Sequence, residues 1–160
     1  MKTTFLNGDN ELKSRGLNYL LSRSEDFRFF QLYSHCENLE DLREELRNED
    51  LTFSEIRQAL SKFDELGSFY DYGLCFDFVD AGTFDNSEGY YRYQLSWGGP
   101  SDEIRFYNDG TIECVFLDWF VGVGFDVSGE DWSEWLLYWF TDVGSIDWNS
   151  LEPEQIEIYE

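Results

Sequence analysis

The chain has 160 residues, and its 34 Asp and Glu against 11 Lys and Arg give a formal net charge of -23 and a pI near 4.1. A content of 42% hydrophobic and 19% aromatic residues excludes a disordered polyanion, and the length suits a single domain spanning 1–160. No apolar run approaches a membrane span or a signal-peptide core.

The first 66 residues read mainly as helices. Leu12, Gly16, Tyr19 and Leu20 recur at helical spacing over about Glu11 to Leu21. Residues 24–34 fit either a strand or a helix by composition, and Ser24 followed by Glu25 and Asp26 tips the reading to a helix start. A second helix follows Asn38 as cap, with Leu39, Leu42 and Leu46 in one stripe. Thr52 and Glu55 form a capping box for a third, in which Phe53, Ile56, Leu60 and Phe63 share a face and Gly67 marks the end.

From Phe69 the period changes to two. Tyr72, Leu74, Phe76 and Phe78 alternate with small or acidic residues, as a half-buried strand requires. Tyr91, Tyr93, Leu95 and Trp97 define a second strand before the turn Gly98-Gly99-Pro100. Ile104 and Phe106 mark a short third strand, Asn108-Asp109-Gly110 a hairpin turn, and about Thr111 to Phe120 a fourth strand. The expected architecture is α+β: N-terminal helices, a four-stranded antiparallel β meander and a C-terminal amphipathic helix.

That last helix has Ser128 as its expected cap and Trp132, Trp135, Leu136, Trp139, Phe140 and Val143 as its core face. Asp131, Glu134, Tyr138 and Asp142 line the opposite face over roughly 16 Å. The acidic tail from Asp147 fits two readings, a frayed end or pairing of Ile156, Ile158 and Tyr159 along a sheet edge.

The charge is asymmetric. Residues 1–63 hold 12 acids and 9 bases, whereas residues 64–160 hold 22 acids and only Arg92 and Arg105. No base follows Arg105, so the 13 acids beyond it have no local partner and are expected to face water or a cationic partner.

Catalytic chemistry finds little support. His35 is the only imidazole and sits beside Cys36 near a helix boundary, where a plain loop histidine is the simpler reading. Cys36, Cys75 and Cys114 are too far apart for a zinc site or a disulfide framework, which points to reduced thiols in a cytoplasm. Asp85-Asn86-Ser87-Glu88-Gly89 is out of register with a calcium loop and reads as a turn. Among 34 acids some pair always has glycosidase spacing, so such a pair carries no specificity. No cofactor, no metal and no catalytic residue is expected.

The charge itself matches a physical target. Duplex DNA carries two phosphates per base pair, so -23 corresponds to about a dozen base pairs, or roughly 40 Å of helix. The expected partner is a basic nucleic-acid-binding protein or complex, met through Asp71, Asp77, Asp102, Glu103, Asp109, Glu113, Asp118, Asp126, Asp131, Glu134, Tyr138 and Asp142. Tyr70, Tyr90 and Tyr107 are further candidates to anchor such an interface. Direct DNA or RNA binding is disfavoured by repulsion, no membrane contact is expected, and a homodimer is compatible with the sequence.

In size, pI and aromatic-plus-acidic composition the chain resembles the small acidic proteins of phages and plasmids that mimic DNA and block restriction or CRISPR enzymes. The run Leu95-Ser96-Trp97-Gly98-Gly99-Pro100-Ser101-Asp102-Glu103 also resembles uncharacterised proteins of conjugative elements. The first resemblance implies an inhibitor of a host defence complex. An immunity protein against a basic toxin and an acidic carbohydrate-active enzyme are the alternatives.

Overall fold

A computed structural model describes residues 2–6 and 9–157. Strands β1 (Thr3–Leu6), β2 (Cys75–Val79), β3 (Tyr90–Gln94), β4 (Ser101–Phe106), β5 (Ile112–Asp118) and β6 (Val121–Asp126) form one antiparallel sheet in the order β1-β6-β5-β4-β3-β2. Helices α1 (Asn10–Tyr33), α2 (Leu39–Arg47), α3 (Phe53–Leu66), α4 (Phe69–Tyr72), α5 (Asp131–Asp142) and α6 (Pro153–Ile156) complete a mixed α+β fold. The expected four-stranded meander is thus corrected to six strands. In β6, glycine at 122 and 124 lowers strand propensity and hides the period-two signal, and β1 is only four residues long.

Period-two alternation places Phe76, Tyr91, Tyr93, Ile104, Phe106, Cys114, Phe116, Val123 and Phe125 on one face of the sheet. These residues form the main core with α1 and α5. Trp132 of α5 stacks on Phe27 of α1 at 5.5 Å, and Phe140 packs on Phe76 at 4.3 Å. Gly16 lets α1 approach the sheet: a Cβ there would lie 2.7 Å from Val123 Cγ1.

The two N-terminal helical readings merge into one 24-residue helix. Ser24, read as a start, sits inside it and donates its hydroxyl to the Leu21 carbonyl at 2.8 Å, which satisfies the group locally. Asn38 caps α2, the Thr52–Glu55 capping box starts α3, and Gly67 at φ 73° ends it. Leu42, Leu46 and Phe63 meet Tyr33 and Cys36 in a second, smaller cluster. Phe53 departs from the expected stripe and is 81% exposed; the packed part of α3 begins at Ile56.

Tyr72 ends α4 and does not open a strand. Its hydroxyl accepts from Arg23 Nη1 at 2.8 Å and donates to Asp26, which pairs with Lys62 at 2.7 Å. Arg23 grips Asp102 through two bonds of 2.7 and 3.0 Å, and Ser96 bonds the same carboxylate. One polar chain therefore ties β4, α1, α4 and α3 together.

The tail runs along the β2–β3 connection instead of a sheet edge. Gly89 donates its N–H to the Ile156 carbonyl at 2.7 Å, Ala81 to that of Gln155 at 2.8 Å, and Glu157 bridges Glu88. Ile158 and Tyr159 lie outside the described residues.

Candidate functional site

The acidic face of α5 is built by the packing of its other face. Trp132, Leu136 and Phe140 are buried and Trp135 and Trp139 half-buried, which turns Asp131, Tyr138 and Asp142 to solvent and leaves Glu134 half-buried. Val143, expected in the core, is exposed just past the helix end. Asp131 and Glu134 lie in the first turn, where exposed N–H groups favour negative charge. Ser128 does not cap α5: Glu130 holds that position, and the Ser128 hydroxyl accepts from the Ile112 N–H at 2.8 Å. Asp71 is exposed on α4, whose Tyr70 ring meets Trp139 edge-on at 6.0 Å.

More acids gather at the end of the sheet where α5 begins. Asp109, in the β4–β5 hairpin, accepts from the Thr111 N–H at 2.9 Å, and that bond holds its carboxyl below the usual range. Asp126 closes β6, is half-buried and accepts from the Ser128 N–H at 2.9 Å. Glu88 and Glu130 are exposed in neighbouring connections.

Four of the expected partner-binding acids are engaged inside the protein. Asp102, 6% exposed, points into the helix-covered face beneath Arg23. Glu103, on the opposite face, is buried against Arg105 at 2.8 Å. Asp77 accepts two hydrogen bonds from Arg92 at 2.9 and 2.6 Å, and Asp118 pairs with Arg15 of α1 at 2.7 Å. The expectation that acids beyond Arg105 lack ion-pair partners is therefore corrected for Asp118, because folding brings a base from 103 residues earlier in the chain. Tyr90 is buried and Tyr107 half-buried, so neither is a free anchor. Glu113 lies partly buried on the second face of the sheet, where burial pushes its carboxyl up.

These pairs alter the surface more than the count. Arg92 and Arg105, the only bases of residues 64–160, are both held in ion pairs within the sheet. Among the described residues of that stretch no cation is left free to balance Asp71, Asp109, Asp126, Asp131, Glu134 and Asp142. His35 pairs with Glu45 at 3.2 Å, and Cys36 beside it is buried.

The sequence reading missed an aromatic end to the sheet. Trp119 and Phe120, 83% and 90% exposed, form the two-residue β5–β6 turn, and Trp97, 68% exposed, lies in the β3–β4 connection at the same end. Trp119 adopts φ 58°, a region bulky residues rarely enter. Asp118-Trp119-Phe120 contains no Gly or Asn to announce a turn.

No helix among the described residues is long and apolar enough to cross a membrane. No family model matches the chain, and comparisons with curated proteins and with solved structures find no match either.

Proposed function

We propose that the chain is a DNA-mimic inhibitor that covers the nucleic-acid-binding surface of a host defence complex of the CRISPR or restriction type. The observation that carries this reading is the capture of both arginines of residues 64–160 in ion pairs, beside exposed and half-buried carboxylates that no free cation among the described residues of that stretch balances. A surface kept acidic for solubility alone has no need to withdraw its few bases. The interface consists of Asp71, Asp109, Asp126, Asp131, Glu134 and Asp142, with Tyr138 as the aromatic contact among them. Along α5 the acids follow a line comparable to about five phosphate steps of one DNA strand.

The exposed Trp97, Trp119 and Phe120 favour a protein partner over a freely solvated existence, since large aromatic side chains exposed together at one end of a sheet mark a contact site. They stand at one end of the sheet and the hairpin acids at the other, so a partner touching both spans the sheet.

The test is affinity capture from a bacterial lysate at low and high salt, with and without duplex DNA as competitor. A DNA-binding complex retained at low salt and released by both salt and DNA is the expected result. Recovery of one small basic toxin in its place moves the assignment to an immunity protein, and a partner indifferent to salt and DNA overturns the mimic.

A further inference from the structure

The sheet face turned away from α1 and α5 carries a row of ionisable residues in register: Asp77, Arg92, Arg105, Glu113 and Asp126 on β2 to β6. Asp77 satisfies Arg92, and Glu103 satisfies Arg105. Glu113 and Asp126 are left adjacent and without an ion-pair partner among the described residues. Over this part of the row the β2–β3 connection and the β4–β5 hairpin enclose a cup of about 260 Å³, walled by Arg105, Tyr107, Glu113, Thr111, Asn86 and Glu88.

The cup is shaped around Glu113. A Cβ on Gly124 would lie 2.6 Å from Glu113 Oε2, so the glycine makes the space the carboxylate occupies. The other oxygen accepts from the Tyr107 hydroxyl at 3.3 Å. Arg105, 5% exposed, is held by Glu103 on one side and lies over the Tyr90 ring at 4.5 Å. The Tyr90 hydroxyl beneath is buried and finds no hydrogen-bond partner among the described residues. Arg105 is already paired with Glu103, and the other charged groups on the walls and rim, Glu113, Glu88 and Asp109, are all acidic. Such a cup rejects phosphates and carboxylates and favours a cation with several N–H donors.

We propose that this cup binds an organic cation, an alkylguanidinium or alkylammonium group, whose N–H donors are taken by Glu113 and the rim carboxylates of Glu88 and Asp109. The group arrives either as a free small molecule or as an Arg or Lys side chain of a protein partner, and only the second source rests on the inhibitor reading above. The volume accepts one such head group with a few waters.

Ethylguanidinium chloride titrated into the ¹⁵N-labelled protein at constant ionic strength tests the site. Saturable amide shifts centred on Arg105, Thr111, Glu113 and Gly124 are expected, weakened about tenfold or more by Glu113→Gln, the scale of one charge-assisted hydrogen bond. In Gly124→Ala the nearest atoms to the new Cβ are Oε2, Cδ and Cγ of the Glu113 side chain, at 2.6, 2.7 and 3.2 Å, so the variant is expected to keep the fold, displace the carboxylate and weaken binding likewise. Non-saturating shifts spread over all surface acids, or equal affinity of wild type and Glu113→Gln, would overturn the proposal. Capture of the partner by Glu113→Gln separates the sources: lost capture marks a partner side chain, and unchanged capture marks a free cation. Failure of the inhibitor reading would instead show in the DNA-competed capture by wild type, with ethylguanidinium binding intact.

Discussion

Asp102 and Asp131 carry the same side chain to opposite ends. Asp102 is enclosed by Arg23, Ser96 and the core, so removing its charge strands a buried guanidinium; Asp131 meets water. Asp102→Asn is expected to lower unfolding free energy by about 3–5 kcal/mol in urea titrations, whereas Asp131→Asn changes it by less than about 0.5 kcal/mol. Glu113 offers a pH test. Burial raises its carboxyl above the unfolded value, against the opposing pull of Arg105 and the Tyr107 hydrogen bond and with the repulsion of Asp126 and Glu103. A raised carboxyl contributes stability that is complete below the unfolded pKa, about 4.3, and is lost as pH rises through the folded one. Glu113→Gln should therefore be more stable than wild type at neutral pH, with the gain vanishing on acidification; a variant less stable at pH 7 would contradict this. The separate burial of Asp102 and Glu103 was not legible in Ser101-Asp102-Glu103-Ile104-Arg105-Phe106, because alternation sends one acid to each face and Arg23 lies 79 residues away.

At the scale of elements, legibility followed local chemistry. The Asn38 cap, the Thr52–Glu55 box, Gly67 and the Asn108-Asp109-Gly110 turn each satisfy backbone groups within a few residues, and the structure keeps all of them. The continuity of α1 through Ser24, the edge strand β1 and the glycine-interrupted β6 depend on tertiary neighbours, which local pattern does not contain. Gly16 is such a case: helical spacing placed it on the inner face, but only the sheet shows why it has no side chain. Gly16→Ala should force α1 away from Val123 and Phe125 and cost about 1–3 kcal/mol despite the better helix propensity of alanine. Calorimetry showing a stabilised variant would contradict the close approach of α1 to β6.

For the whole molecule, the asymmetry of charge was readable by counting, because unpaired carboxylates have little choice but water. The counting could not show which acids fold inward. Asp102 and Glu103 leave the predicted surface for buried ion pairs, Asp77 and Asp118 are paired while still partly exposed, and the set without an ion pair narrows to α5, α4 and the hairpin end of the sheet. The aromatic end formed by Trp97, Trp119 and Phe120 was equally out of reach, since Asp118-Trp119-Phe120 offers no turn-forming Gly or Asn and reads as a continuation of the apolar strand. The most direct test is the affinity for the captured complex of a variant combining Asp109→Lys, Asp131→Lys, Glu134→Lys and Asp142→Lys, measured across a salt series. A loss on the order of 100-fold at low salt and a flatter salt dependence are expected in a protein that remains folded; unchanged affinity and slope would rule out an interface built on these carboxylates.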